Sequence, residues 1–352
     1  MLLNIQGKMW RWIELVDMAA LRNSNKNLNS NKATGRKIVW FLGAGASRGA
    51  GAALRVGGSG GTIKIPIQAD FWDVVLRYGS KKDADKIQSF LFRYFAGYDR
   101  TPARSNRKER REVLKNIDVE EVFTFLSERI KTKQIPDSLK TYFTEIQSKL
   151  IRTVTKTLRK FEPNAQTKKT YATFSKNLLR TRDAVVSFNY DTIFEYSLPK
   201  NKPFFYQDVS KKTKFYAVFK PHGSINWKMG ENKKLEVDDY VDEPELIPPT
   251  HLKFIGEQID PIKLLWKKME IQMQAAKTFV FIGYSFPDAD FYFSSVMRSV
   301  LTKTKRNVKI ILVDPDAQRL SEKFGKRFSI TQNRILKYFD LSQLLQIKRK
   351  TL

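Results

Sequence analysis

Groups of small and polar residues follow apolar runs at five places in this sequence, and these groups are where chemistry could occur. A short apolar run predicts a buried strand, and ligands of open α/β sheets bind at the carboxyl ends of the strands. The order of the groups therefore predicts that they meet in one site. The five groups comprise Gly43, Ala44, Gly45, Ala46 and Ser47; Asn189, Tyr190 and Asp191; His222, Gly223 and Ser224; Gly283, Tyr284 and Ser285; and Asp314.

The glycine-rich group at residues 43–47 has two interpretations when it is taken alone. Backbone N–H groups at a strand-to-helix turn suit a pyrophosphate. The spacing departs from the GxGxxG pattern, however, because the next glycine, Gly49, comes one position late. A tight turn with no ligand is therefore an equal alternative at this stage.

The remaining polar residues also have ordinary structural explanations when each is considered by itself. Asn189 and Asp191 are typical helix-cap residues, and a helix-like segment follows them. His222 could be a buried structural histidine, and Asp314 could either bind ribose hydroxyls or cap the next helix. His251, in the segment PPTHLK, belongs to none of the polar groups, so we predict a structural role for it.

The elements that must position these residues are short buried strands that alternate with helices in the second half of the chain. This alternation predicts a doubly wound, Rossmann-like parallel sheet. Apolar residues spaced three and four apart predict a helical insert between the first strand and the second. The strand-like runs lie at 37–42, 184–188, 215–219, 277–283 and 307–313. The predicted parts are an N-terminal helix and linker at 1–36, a Rossmann-like domain at 37–66 and 183–340, a basic helical insert at 67–182, and a basic C-terminal tail at 341–352.

The composition and net charge limit the classes of protein to which this chain can belong. The 352 residues carry a net charge of +28, which attracts polyanions such as nucleic acid. There is no cysteine, which excludes disulfides, thiol nucleophiles and cysteine-ligated zinc. No apolar run approaches the roughly 20 residues that span a bilayer, so we expect no membrane contact. The absence of cysteine, together with an N-terminus unlike a signal peptide, predicts a cytoplasmic protein.

The combination of motifs is more specific than its parts. The strings GAGAS, FNYD, PHGS and GYS, in this order, resemble the sirtuin family, and more closely the sirtuin-like NAD-hydrolysing domains of bacterial and archaeal defence proteins. The strings IPIQADFW, DVEEVFTFL, HGSINW, ELIPPT and FIGYSFPDADFYF are similar to that branch as well. The resemblance extends over residues 37–315 and implies a sirtuin-type fold.

The resemblance also implies roles for individual residues. Asn189 would orient the nicotinamide ribose and the attacking water, and His222 would be the catalytic histidine. Asp191 would lie near the nicotinamide amide. Asp314 falls where relatives contact the adenosine ribose, although the sequence here is Asp-Pro-Asp rather than the usual asparagine-containing form. The residues that would bind the dinucleotide are Gly43, Ala44, Gly45, Ala46, Ser47, Asp191, Gly223, Ser224, Gly283, Tyr284, Ser285 and Asp314.

The function that the resemblance implies is hydrolysis of NAD+, as substrate and without a metal, by the effector of an antiphage system. Sirtuin deacylases carry a four-cysteine zinc ribbon that this sequence lacks, which argues against protein deacylation. A homo-oligomer and a partner such as a HerA-type hexameric ATPase or an Argonaute-like module are expected, docking through the N-terminal helix or the basic insert. Two alternatives are a nucleic-acid-binding or scaffold module and a zinc-less NAD-dependent deacylase.

Overall fold

A computed structural model describes the chain in segments. The N-terminal helix and linker predicted at 1–36, and His251, lie outside the described residues. The described residues are 37–56, 61–97, 107–201, 204–206, 216–231, 235–238, 241, 244–247, 260–288, 290–304 and 307–352.

The strands confirm the prediction of a doubly wound parallel sheet. Seven strands pair in the order β11-β10-β9-β1-β4-β6-β5, and every neighbouring pair is parallel. The strands are β1 (Ile38–Leu42), β2 (Ala53–Arg55), β3 (Thr62–Lys64), β4 (Ala184–Ser187), β5 (Phe204–Tyr206), β6 (Tyr216–Phe219), β7 (Trp227–Met229), β8 (Leu235–Val237), β9 (Thr278–Ile282), β10 (Lys309–Val313) and β11 (Ile335–Tyr338).

This strand order fixes where a ligand can bind. Without the edge strand β5, the order is the 3-2-1-4-5-6 arrangement of dinucleotide-binding Rossmann folds. Strand β1 pairs with β4 on one side and with β9 on the other. The order in which successive strands are added to the sheet therefore reverses between β1 and β9. The crevice at the carboxyl ends of these strands is the usual ligand site of such a sheet. Strands β2 with β3, and β7 with β8, form separate antiparallel pairs.

The central strands are buried on both faces, which explains their uninterrupted apolar sequence. All residues of β1 and β9 are buried. On one face, Trp40 packs edge-on against Phe174, with ring centres 4.8 Å apart. On the other face, Phe41 stacks on Phe281 at 4.4 Å. The sheet is therefore covered on both sides, as a doubly wound fold requires.

Helices flank the sheet and build the insert between β3 and β4. The longest helix has 22 residues and is amphipathic. None of the helices in the described segments combines the length and apolarity needed to cross a membrane. The helices are α1 (Ala44–Gly49), α2 (Phe71–Tyr78), α3 (Lys81–Phe95), α4 (Arg107–Lys115), α5 (Val119–Lys131), α6 (Asp137–Leu158), α7 (Ala165–Asn177), α8 (Ile193–Ser197), α9 (Asp260–Gln274), α10 (Phe291–Lys303), α11 (Ala317–Phe328) and α12 (Leu341–Leu345).

The insert shares its core with the sheet. Helix α6 packs against α2, α3 and α5. One continuous apolar cluster includes Phe90 and Phe143 of the insert as well as Trp40 of β1. Buried Asp83 on α3 forms ion pairs with Lys149, at 3.2 Å, and Arg152, at 2.9 Å, on α6. The ion pairs thus join two helices of the insert, and the shared apolar cluster joins the insert to the sheet.

The last residues differ from the predicted basic tail at 341–352. They contain α12, and the final residue, Leu352, is buried. The hydroxyl of Thr278 donates to the Leu352 carbonyl oxygen at 2.9 Å. Apolar residues among the basic ones allow this segment to pack onto the amino-terminal end of the sheet. The sequence patterns also missed β5 and β11, which are edge strands of only three and four residues.

Candidate functional site

A cavity of about 1020 Å³ opens at the carboxyl ends of the central strands. Pockets for small molecules span about 300–1,000 Å³, so this one has room for a ligand as large as a dinucleotide. All five predicted polar groups reach it. The predicted residues that line the cavity are Gly43, Ala44, Gly45, Asn189, Tyr190, Asp191, His222, Gly283, Tyr284, Ser285 and Asp314.

Four predicted residues lie behind the cavity wall rather than on it: Ala46, Ser47, Gly223 and Ser224 are buried and do not line the cavity. The Ser47 hydroxyl donates to the carboxylate of Asp191, so this residue supports the wall. Gly223 has a φ of +81°, and a Cβ there would lie 2.0 Å from the Glu245 carbonyl oxygen. Gly223 is therefore required by the turn that carries His222.

The glycine turn is already well bonded within the protein. The N–H of Gly43 donates to Ile282 O at 3.0 Å, and the N–H of Gly45 donates to Gly283 O at 3.0 Å. The N–H of Ala46 donates back to Gly43 O at 2.8 Å. The first two bonds hold the turn against the end of β9 and the loop after it, and the third closes the turn itself. Because these N–H groups already have partners, the turn does not offer them to a ligand. It offers instead a closely approachable backbone surface and the exposed residue Ala44.

Asn189 follows β4 and links the turn to the site. Its Nδ2 donates to Gly43 O at 3.0 Å and to the Ser47 hydroxyl at 3.2 Å. Both of its hydrogen bonds to described residues therefore use the amide nitrogen. An asparagine side chain also has a carbonyl acceptor, Oδ1, which is the atom left to bind a hydroxyl or a water in the cavity.

Asp191 is a buried carboxyl group with several donors around it. It accepts hydrogen bonds from the Ser47 hydroxyl at 3.1 Å and from the Ile193 N–H at 3.0 Å. Burial raises the pKa of Asp191 to about 6, against the lowering effect of the positive charge on Lys220. Lys220 is itself fully buried, pairs with Glu195 at 2.9 Å and donates to the Asp191 carbonyl oxygen. This ion pair anchors the backbone that carries Asp191.

His222 is paired with a carboxylate that the sequence did not single out. Its Nε2 lies 3.0 Å from Oδ1 of Asp290, and the Tyr284 hydroxyl donates to Oδ2 of the same residue at 2.6 Å. The imidazole also lies beside Phe188, with ring centres 5.2 Å apart. Asp290 directly precedes α10 and lies in the string FIGYSFPDADFYF, in which the sequence predicts no individual catalytic role for this position.

The insert supplies the opposite wall of the cavity, which sequence reasoning also missed. Its contribution combines apolar residues of α5 and α6 with the acidic first turn of α5. The string DVEEVFTFL covers the first turns of α5, but nothing in the sequence indicates that its residues face a cavity, because their spacing is that of an amphipathic helix. The residues from the insert are Ile67, Gln68, Ala69, Phe71, Lys115, Asn116, Asp118, Val119, Glu120, Glu121, Phe123, Ile151, Val154 and Leu158.

The far end of the cavity is charged. Asp314, directly after β10, lines it together with Arg319 and Lys323 of α11. Oδ1 of Asp314 accepts a hydrogen bond from the Asp316 N–H at 2.9 Å, and burial raises the pKa of Asp314. Asp288 also lines the cavity and lies 3.5 Å from Lys323, and Arg319 pairs with Asp316, so both cations have a carboxylate beside them.

The arrangement can position hydroxyl groups and water and can take up a proton. It combines an amide acceptor, an imidazole paired with a carboxylate, and a buried carboxyl group. Within the described segments, no three His, Asp or Glu side chains form a group that could hold a metal ion.

Comparison with known protein families agrees with the geometry. The family model of the SIR2-like domain matches residues 183–332, which run from the start of β4 to the end of α11 and include Asn189, His222 and Asp314. The match does not include the glycine turn or the insert. No curated protein matches the chain significantly. Residues 183–332 are therefore similar to the SIR2-like domain, and domains of this kind typically use NAD.

Proposed function

We propose that this protein is an NAD+ hydrolase, which converts NAD+ and water to nicotinamide and ADP-ribose. The observation that carries the proposal is that Asn189 and His222 line the same cavity as the glycine turn and Asp314. One dinucleotide lying across the β1–β9 crevice could contact all four. The SIR2-like match is consistent with this choice of ligand.

Hydrolysis of the nicotinamide–ribose bond requires mainly that the protein position the ribose and the attacking water. Cleavage of the nicotinamide–ribose bond builds positive charge on the ribose, and nicotinamide leaves as a neutral molecule, so no strong acid is needed. The Asn189 Oδ1 would accept from a ribose hydroxyl or from the attacking water. His222 would take up a proton from the water as its oxygen bonds to the ribose carbon. The apolar residues of the insert would limit the access of bulk water.

The direct test measures nicotinamide release from NAD+ by the purified protein, with Asn189→Ala as the site variant. We expect that variant to lose release by at least about 100-fold, since it loses the acceptor that orients the reacting groups. Asn333→Ala is the matched control, because Asn333 is exposed and does not line the cavity. Full activity in Asn189→Ala would contradict the proposal.

We further propose that hydrolysis is the effector step of an antiphage defence system and is switched on by assembly or by a partner. The resemblance of the motifs to defence proteins supports this role, and uncontrolled loss of NAD+ would harm the host. A homo-oligomer activated by a HerA-type ATPase is the arrangement we propose. Nicotinamide release would be measured with and without the ATPase and DNA, alongside the mass of the particle in solution.

The same assays separate the alternatives. Release of nicotinamide only in the presence of an acylated peptide would indicate a deacylase. Salt-sensitive DNA binding without any NAD+ binding would indicate a nucleic-acid-binding module, because phosphate contacts weaken steeply with salt. Either result would replace the hydrolase proposal.

A further inference from the structure

We infer that Asp290 is a positioning residue for His222, that it selects which imidazole nitrogen carries the proton, and that Tyr284 in turn fixes Asp290. The inference deepens the proposed function, because it rests on His222 acting as the base of that reaction. It assigns a role to a residue that lies in the string FIGYSFPDADFYF but for which the sequence predicts no role.

The geometry is that of a three-membered hydrogen-bonded chain. Oδ1 of Asp290 lies 3.0 Å from Nε2 of His222, and Oδ2 accepts a 2.6 Å hydrogen bond from the Tyr284 hydroxyl. Asp290 is 2 % exposed. A buried carboxylate is costly unless donors satisfy both oxygens, and here each oxygen has one. The three side chains therefore constrain one another.

The side chain of Asp290 does not cap the helix that begins after it. Asp290 is the N-cap residue of α10, and aspartate at an N-cap normally accepts a hydrogen bond from a backbone N–H of the first turn. In this structure its side chain makes no such bond. Only its backbone carbonyl takes part, as the acceptor for the Ser294 N–H at 2.9 Å. The carboxylate is directed to the histidine instead.

The chemical consequence concerns the imidazole. In neutral histidine one ring nitrogen carries a proton and the other has the lone pair, and the partner of one nitrogen decides the state of the other. Asp290 accepts the proton on Nε2, so the lone pair lies on Nδ1. When water attacks the ribose carbon, the C–N bond breaks with its electrons passing to nicotinamide. The water proton passes to Nδ1, and Asp290 stabilises the resulting imidazolium.

Several other titratable or charged groups lie around this hydrogen-bonded chain, but the two tyrosines stay neutral in the pH range where an imidazole titrates. Tyr190 and Tyr284 lie near the imidazole, and burial raises the pKa of each. Glu120 of the insert raises the pKa of both tyrosines further, whereas Arg327 of α11 lowers that of Tyr284. Asp290 is the carboxylate in direct contact with the ring, so its removal should alter the histidine more than that of any of these neighbours.

The test replaces Asp290 by Asn, which keeps the shape and removes the charge. Nicotinamide release should fall by 10-fold or more in kcat, with KM for NAD+ within about threefold. The acidic limb of the pH–rate profile should move to lower pH, because loss of the carboxylate lowers the pKa of the imidazole. Asp260→Asn is the control, since that side chain is 93 % exposed. An unchanged kcat and pH profile in a folded Asp290→Asn protein would overturn the inference.

A second readout does not depend on activity. The chain has only two histidines, so the ¹⁵N resonances of His222 can be assigned by comparison with a His222→Gln variant. The wild type should show the Nε2–H form, and both Asp290→Asn and the milder Tyr284→Phe should change its tautomer balance or its pKa. Identical ¹⁵N shifts in all three proteins would overturn the inference. Wild-type protein that shows the predicted tautomer but never releases nicotinamide would instead contradict the proposed reaction.

Discussion

Gly43 and Gly283 are in backbone-to-backbone contact, which joins the loops after β1 and β9 at the reversal point of the sheet. A Cβ built on Gly43 would lie 2.3 Å from the Gly283 carbonyl oxygen. A Cβ on Gly283, whose φ is +59°, would lie 2.2 Å from the backbone nitrogen of Ala46. Neither position has space for a side chain. The glycines are thus needed for the fit between the two loops, whatever ligand lies above them.

Substitution of Gly43 by Ala should consequently separate the two loops. We expect a loss of about 1–3 kcal/mol in the free energy of unfolding, the usual cost of overpacking, and at least a 10-fold weaker binding of NAD+. Gly49→Ala is the matched control at the other end of α1, because a Cβ there meets nothing within 4 Å. Urea unfolding and calorimetric titration with NAD+ would measure the two effects. Equal behaviour of the two variants would show that the contact is not tight.

The sequence was sufficient to predict the sheet and much of one wall of the site. Continuous apolar runs followed by Asn189, His222 or Gly283 predict strands with polar residues at their carboxyl ends, and a parallel sheet brings those ends together. This information is local, because each motif directly follows or lies near the strand that positions it.

The other features depend on contacts between distant segments. The pairing of His222 with Asp290 joins residues on different loops, and the sequence around Asp290 is that of an ordinary helix cap. Val154 and Leu158 of the insert wall have the spacing of any buried helix face, so nothing distinguishes cavity lining from core. For the same reason, the sequence does not indicate that Arg349 pairs with Asp183, which is far from it in the chain.

Asp191 should make stability depend on pH in the acidic range. Its pKa is about 6 in the folded protein, against about 3.9 for an unperturbed aspartate. Between pH 4 and 6 the folded protein therefore binds more protons than the unfolded chain, and this residue's contribution makes stability fall as pH rises. The total effect is on the order of 3 kcal/mol.

Asp191→Asn removes that titration. The free energy of unfolding of the variant minus that of the wild type should increase from pH 4 to pH 6 and stay level above it. Urea unfolding at several pH values would measure this difference, with Asp260→Asn as an exposed control. Parallel pH curves for Asp191→Asn and the wild type would contradict a raised pKa.

Arg349 should stabilise the fold by neutralising a buried carboxylate. Its guanidinium forms two bonds to Asp183, at 2.7 and 2.8 Å, and Asp183 also accepts from the Ile38 N–H at 3.0 Å. Asp183 is 1 % exposed, so Arg349→Ala leaves a charge without its partner at the edge of β4. We expect a loss of about 3–5 kcal/mol in the free energy of unfolding.

Two further variants make this test specific. Arg349→Lys keeps the charge but not the paired donors, so it should recover only part of the stability. Lys350→Ala removes a neighbouring exposed cation and should cost less than about 0.5 kcal/mol. If Arg349→Ala and Lys350→Ala had the same free energy of unfolding in urea, the ion pair between Arg349 and Asp183 would not stabilise the fold.

The insert wall should limit the ligand that the cavity accepts. Ile151 on α6 is partly buried and lines the cavity. A tryptophan at this position would fill part of the cavity that Asn189 and His222 also line, and because it projects into a cavity it should cost less stability than overpacking a closed core. Nicotinamide release by Ile151→Trp should fall at least 10-fold, with weaker binding of NAD+ in calorimetry. Leu139→Trp, at a 40 % exposed position on the same helix, should leave both unchanged. Normal binding by Ile151→Trp would mean that the ligand lies along the sheet edge without contacting the insert.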